Sequence, residues 1–225
     1  MELVRVVDHP AVADRLTRLR DAATGEPLFR RLLEDLGTLL AYEATRHLAT
    51  REVRVRTPVG EASGVRLAGR TVFAPILRAG LGLVPGFLRV VEDAAVAHLG
   101  FFRDPGTLAA VPYYANLPDD LSDAAVFVLD PMLATGHSGA AALDVLASRG
   151  ARDVTFACVI AAPEGIAHLA ERHPAVRVVT CGIDRGLNDH GYIVPGLGDA
   201  GDRMFASATS VPAMRGERRP SPKTV

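Results

Sequence analysis

The sequence predicts an α/β fold: a parallel sheet of five strands flanked by helices. Three observations carry that prediction. Between residues 71 and 181, short apolar runs alternate with helical patterns. Ahead of them, leucines recur at helical spacing. Behind them, periodicity stops and glycines punctuate about twenty residues.

The N-terminal third reads as helix. Val12, Leu16 and Leu19 share one helical face after His9-Pro10. Phe29, Leu32, Leu33, Leu36, Leu39 and Leu40 then hold helical spacing over three turns. Such helices must pack on another layer. Glu52 to Thr57 alternates polar and apolar residues, as an exposed or edge strand does.

Five strand candidates follow: Thr71 to Leu77, Ala94 to Phe102, Ala124 to Leu129, Val154 to Ala161 and Val176 to Cys181. Helical patterns run over Leu83 to Val91, Ser138 to Ser148 and Gly165 to Arg172. Repeated strand–helix–strand order means a parallel sheet, whose ligands bind outside the carboxyl ends of the strands. Beyond Cys181, Gly182, Gly186, Gly191, Gly196, Gly198 and Gly201 break any pattern. Leu187, Tyr192, Ile193, Val194 and Leu197 lie among them, so this stretch reads as a binding loop rather than disorder.

Composition narrows the class. The 225 residues suit one sizeable core, and 48% apolar with 23% charged residues is ordinary globular usage. A net charge of -1 argues against a nucleic-acid partner held by phosphate neutralisation. No apolar run approaches the ~20 residues of a membrane span. Met1 to Arg5 holds no signal-peptide core, so the expected location is cytoplasmic. Cys158 and Cys181 can form neither a disulfide framework nor a CxxC site. The seven histidines lack ligand spacing. Residues 1–206 form the expected domain. Residues 207–225 carry a net +3, against -4 for the rest, and read as a disordered tail.

The chemistry concentrates at strand ends. Asp130-Pro131-Met132-Leu133-Ala134-Thr135-Gly136-His137-Ser138 follows a buried strand and opens a helix. Free N–H groups and the helix dipole bind anions at such a junction, phosphate above all. Thr135 and Ser138 add hydroxyls, and Gly136 allows close backbone approach. A bland reading stands beside this one, with Ser138 as a helix cap and Asp130 as a strand terminator. The Asp130 carboxylate would accept bonds from hydroxyls beside the phosphate, which suggests a sugar. Arg78 and Arg103 also follow strands, and an arginine there seeks an anion. Together these residues suggest a ligand phosphorylated at both ends.

These segments resemble the uracil phosphoribosyltransferases. Asp130 to Ser138 (DPMLATGHS) is similar to the ribose-phosphate loop, and Pro75 to Gly82 (PILRAGLG) to the pyrophosphate loop. Tyr42 to Arg46 (YEATR) and Ala162 to Ile166 (APEGI) also match. Gly186 to Asp202 (GLNDHGYIVPGLGDAGD) resembles the uracil loop over its whole length. The resemblance runs from about His9 to Phe205.

The resemblance implies a type I phosphoribosyltransferase fold with N-terminal helices and a C-terminal base-binding hood. It implies transfer of ribose 5-phosphate from PRPP to N1 of uracil, giving UMP and pyrophosphate. Arg78, Arg103, Asp130 and the 131–138 loop would bind PRPP, with Asp199 facing it. Ile193, Gly198, Asp199 and Ala200 would read uracil. Asp130, Arg78 and Asp199 would be catalytic. Mg²⁺ would be held mainly through PRPP, with Asp199 reaching it through water. The family is oligomeric, from homodimers upward, and some members respond to GTP. Where the family usually has glycine, this chain has His137. Pro105-Gly106 and Phe102 also depart from the pattern. A phosphoribosyltransferase for another base is one competing reading, a nucleotide-sensing RNA-binding regulator is a second, and a homologue that has lost activity through His137 is a third.

Overall fold

Strand β4 (Arg70–Leu77) runs through the middle of the sheet, with Val72 to Ile76 buried. The computed structural model describes residues 3–103 and 110–205, with only the backbone at 103 and 110. On one side β4 pairs in parallel with β8 (Ala124–Leu129). Beyond β8 lie β10 (Asp153–Cys158), β12 (Arg177–Thr180) and the edge strand β1 (Val4–Val6), all parallel. On its other side β4 pairs first with β5 (Ala95–Val96), then with β6 (His98–Arg103). Strand β7 (Ala110–Asn116) closes that edge antiparallel.

The five expected parallel strands are thus present, and β1 and β7 extend the sheet. The run from Ala94 to Phe102 forms two strands because Pro75 sits where β4 changes partner. Proline has no N–H for the ladder, and pairing skips from Phe73 to Ile76. Val154 to Ala161 also divides. After Cys158, the Val159 and Ile160 N–H groups turn to the Pro131 carbonyl. Ile160–Ala161 (β11) then pairs with Met132–Leu133 (β9).

Helices cover both faces. Helix α1 (Pro10–Arg20) starts at a His9 cap with proline in its first turn, and ends with Arg18 and Arg20 beside the negative end of its dipole. Helix α2 (Glu26–Ala44) buries Phe29, Leu32, Leu33, Leu36 and Leu40 as its leucine spacing dictates. Helix α3 (Val84–Val90) crosses α2 at Gly86, where a Cβ would overlap the Glu34 carbonyl. These helices meet Phe73 and Phe127 on one sheet face. On the other face α4 (His137–Ser148) and α5 (Pro163–Arg172) pack Leu143, Leu146 and Leu169 against Val126, Val128 and Phe156. Odd and even residues of β8 supply the two cores, the period-2 logic of a strand buried on both sides.

The alternating segment at Glu52 belongs to β2 (Thr50–Thr57), which among the described residues pairs only with β3 (Gly60–Leu67). It is an exposed hairpin, with Val59 98% exposed. The predicted loop after Cys181 contains a short antiparallel pair, β13 (Gly186–Leu187) with β14 (Ile193–Val194), and then α6 (Ala200–Phe205). Residues 206–225, which include the expected tail at 207–225, lie outside the described residues. No helix of the described residues is long and apolar enough to cross a membrane.

Candidate active site

The site assembles at the carboxyl ends of β4 and β8. Asp130 follows β8, its N–H donating to the Ala157 carbonyl at 3.2 Å. One carboxylate oxygen accepts from the Met132 N–H at 3.4 Å. Burial, reinforced by the nearby Asp199 charge, pushes the Asp130 carboxyl up to about 7 against the pull of that bond. The residue as a whole is half-buried.

The turn after Asp130 is fixed from behind. Pro131 and Leu133 are buried, and Met132 and Ala134 are half-buried. The Leu133 carbonyl accepts from the Ala162 N–H at 2.8 Å. Gly165 lies against the Ala134 carbonyl so closely that any Cβ would overlap it. Gly136 has φ +82 and is the cap residue of α4. The structure therefore corrects the reading of Ser138 as the cap: it is the second helical residue. Among the described residues, no side chain caps α4. The N–H groups of its first turn have no partner within the helix, as an anion-binding turn requires.

His137 is the first residue of α4, so its backbone is ordinary helix. The left-handed residue is its neighbour Gly136. Histidine in place of the family's usual glycine therefore meets no backbone obstacle. Its ring is exposed and packs edge-to-face on His168, centroids 4.9 Å apart.

Arg78 follows β4 across a cis Leu77–Arg78 peptide bond. Its guanidinium is 58% exposed and lies 3.5 Å from Asp202. The turn after it presses Gly80 against the Leu129 carbonyl, which seats Arg78 one strand from Asp130. Arg103 ends β6, and its side chain lies outside the described set.

The hood supplies the remaining predicted residues. Asp199 caps α6, one oxygen accepting from the Asp202 N–H at 2.9 Å. Gly198 has φ +79 and is exposed. Ile193 and Ala200 bury their side chains in the core, so they offer the cleft only backbone groups. Glu164 accepts the Leu187 N–H at 3.0 Å and ties the loop to α5. Arg203 donates to the carbonyls of Leu19, Leu197, Asp21 and Thr24, and stacks on Phe29 with 4.4 Å to its centroid. Sequence spacing does not reveal Glu164 and Arg203 as anchors, because their partners lie on other elements. Cys158 and Cys181 are buried, which pushes both thiols up to about 12 and leaves them inert.

A half-buried carboxylate, an anion-binding turn and a strand-end arginine, facing a hood at the carboxyl edge of a parallel sheet, suit a phosphorylated sugar and a second reactant. That combination defines the phosphoribosyltransferase class. The model for "Uracil phosphoribosyltransferase" matches residues 6–207, and the chain belongs to that family. It is 51% identical over 208 residues to the uracil phosphoribosyltransferase of Caulobacter sp. (strain K31), covering 92% of this chain and 100% of the relative. The uracil phosphoribosyltransferase of Dictyoglomus thermophilum is 50% identical over 206 residues, covering 91% and 100%. Among solved structures, the AQ2163 protein from Aquifex aeolicus superposes with a TM-score of 0.86 at 38% identity, over 91% of this chain and 98% of that one.

Proposed function

We propose that this protein transfers the 5-phosphoribosyl group of PRPP to N1 of uracil, giving UMP and pyrophosphate. The family match across residues 6–207, which includes the whole hood, is the observation that carries this reading.

In this reading the 131–138 turn cradles the 5-phosphate. Thr135, Gly136, His137 and Ser138 supply donors, and Pro131, Met132, Leu133 and Ala134 shape the turn. Asp130 accepts the ribose hydroxyls. Arg78 and Arg103 bind the pyrophosphate. As the bond from C1 to pyrophosphate breaks, positive charge grows on the sugar ring and negative charge on the leaving group. Ionised Asp130 faces the first and Arg78 the second. Uracil N1 loses its proton as the new C1–N1 bond forms. Alignment of the two reactants between turn and hood supplies much of the rate.

Uracil presents a ring N–H between two carbonyls. Backbone groups at Ile193, Gly198, Asp199 and Ala200 can match that pattern without a charged side chain. Cytosine reverses it at two positions and would leave loop groups unpaired, which is costly.

Phosphoribosyltransferases generally use Mg²⁺ with PRPP. The residues present fit such an ion: Asp130 and Asp199 are hard oxygen donors, and their repulsion is relieved by a cation. No group of three or more His, Cys, Asp or Glu among the described residues could hold a metal alone. PRPP oxygens would therefore be the main ligands, with Asp199 reaching the ion through water. When bound, the ion would neutralise charge on the pyrophosphate.

A homodimer or larger assembly accords with exposed Val55, Val59, Val65 and Leu67 on the β2–β3 hairpin. A GTP effector belongs to this reading through the family alone. A cytoplasmic location fits the two unpaired cysteines. The test is product formation from uracil and PRPP with Mg²⁺, beside cytosine, orotate and purine bases.

A further inference from the structure

The hood is held by a charge pair that includes none of the predicted site residues. Asp184 is buried, its side chain 5% exposed. Arg20, the last residue of α1, donates to both of its carboxylate oxygens, at 2.7 and 2.5 Å. The same pair holds both backbone polar groups of Gly196. The Gly196 N–H donates to Asp184 at 2.8 Å, and its carbonyl accepts from Arg20 at 2.8 Å. Burial opposes ionisation of Asp184, but the bonds from Arg20 and Gly196 outweigh it and hold the carboxyl below the usual range.

Gly196 is a demanding place to hold. It has φ +66, and a Cβ there would overlap the Ile193 carbonyl. It follows Ile193 by three residues and precedes Gly198 by two. Any shift of Gly196 therefore changes the spacing between the backbone groups on either side of it. A second arginine, Arg203, fixes the adjoining Leu197 carbonyl at 2.8 Å to the chain just past α1.

We propose that the Arg20–Asp184 pair is a specificity-determining positioning device: it holds Gly196 so that residues 193–200 keep the spacing that reads the base. Neither residue is assigned a contact with the reactants, so the pair acts through Gly196. This inference rests on the proposed uracil reaction and adds to it the groups that maintain the fidelity of that site. The bidentate geometry requires a guanidinium, because a lysine offers a point charge without the planar fork.

The test compares Asp184→Asn, Arg20→Met and Arg20→Lys with the wild-type full chain. It measures kcat and KM for each substrate and the uracil-to-cytosine ratio of kcat/KM. We expect KM for uracil to rise about tenfold or more in the first two variants, the scale of one lost buried polar contact. KM for PRPP should stay within about twofold, because the 131–138 turn is fixed by β11 and α5 instead. Discrimination against cytosine should fall with it, and Arg20→Lys should lie between wild type and Arg20→Met. A folded variant whose uracil KM is unchanged overturns the inference, as do equal rises in both KM values. Should Asp184→Asn fail to fold, Arg20→Lys alone decides by the same split. A wild-type chain that makes no UMP would defeat the proposed reaction itself, whereas an active wild type with unaltered variants defeats only this inference.

Discussion

Asp130 and Asp199 approach each other across the cleft although 69 positions separate them, and the charge on Asp199 adds to burial in raising the Asp130 carboxyl to about 7. One residue follows a sheet strand and the other caps the helix of the hood. In the proposed reading, their repulsion couples the sugar site to the base site electrostatically. A cation and a sugar bearing growing positive charge would both relieve it.

A pH dependence follows, and its sign is fixed. A carboxyl raised from its ordinary value near 4 to about 7 binds a proton in the folded state that the unfolded chain has already released. Stability should therefore fall as pH rises from about 4 to about 7, relative to Asp130→Asn, which cannot titrate. Thermal melting of both proteins should show a difference of a few degrees across that window. PRPP affinity should move the other way, strengthening as pH rises through about 7, because in the proposed function the ionised carboxylate is the binding form. Isothermal titration with Mg²⁺ and PRPP at pH 6 and pH 8 checks this.

Gly136 and His137 should respond oppositely to substitution. Gly136→Ala puts a side chain at φ +82, with its Cβ 3.0 Å from the Gly165 carbonyl. It should cost about 1–3 kcal/mol of stability and raise KM for PRPP about tenfold or more. His137→Gly changes a helical residue whose backbone amide serves regardless of side chain. Its kcat/KM for PRPP should stay within about threefold of wild type. Steady-state kinetics and melting curves on both variants provide the comparison.

Arg78→Ala separates function from stability. The guanidinium is more than half exposed and its contact with Asp202 is a surface ion pair. Its loss should change stability by less than about 1 kcal/mol. The same change should lower kcat/KM for PRPP by about 100-fold or more, since in the proposed function it removes a charge that balances the leaving group.

The α2–α3 crossing is a stability site without a catalytic role. Gly86→Ala would force a Cβ into the Glu34 carbonyl and the Thr38 amide. It should destabilise by about 1–3 kcal/mol, lowering the melting temperature by roughly 2–4 °C for each kcal/mol. KM values should hold at temperatures where the variant is folded.

Elements with strong apolar pattern were legible in the sequence. Strand β8 matches its run at both ends, and α2 follows its leucines. Strands β1, β3 and β7 carry no such signal. The described parts of β3 and β7 are largely exposed, so burial imposes no alternation on them. The splits at Pro75 and Val159 depend on which neighbour each strand meets, which is tertiary information. Within the site, Asp130 and the glycine of the turn were readable because strand end and helix start adjoin in sequence. The Arg20–Asp184 and Arg203 anchors were not, because their partners are set by the fold. The structure also resolves how His137 fits, by placing the left-handed residue one position earlier.

The most direct test is UMP formation by the purified full chain from uracil, PRPP and Mg²⁺, with cytosine, orotate and purine bases run beside it. A uracil phosphoribosyltransferase should turn over uracil at least about 100-fold above each other base in kcat/KM. Preferred turnover of another base, or none on uracil by folded protein that binds PRPP, would contradict it.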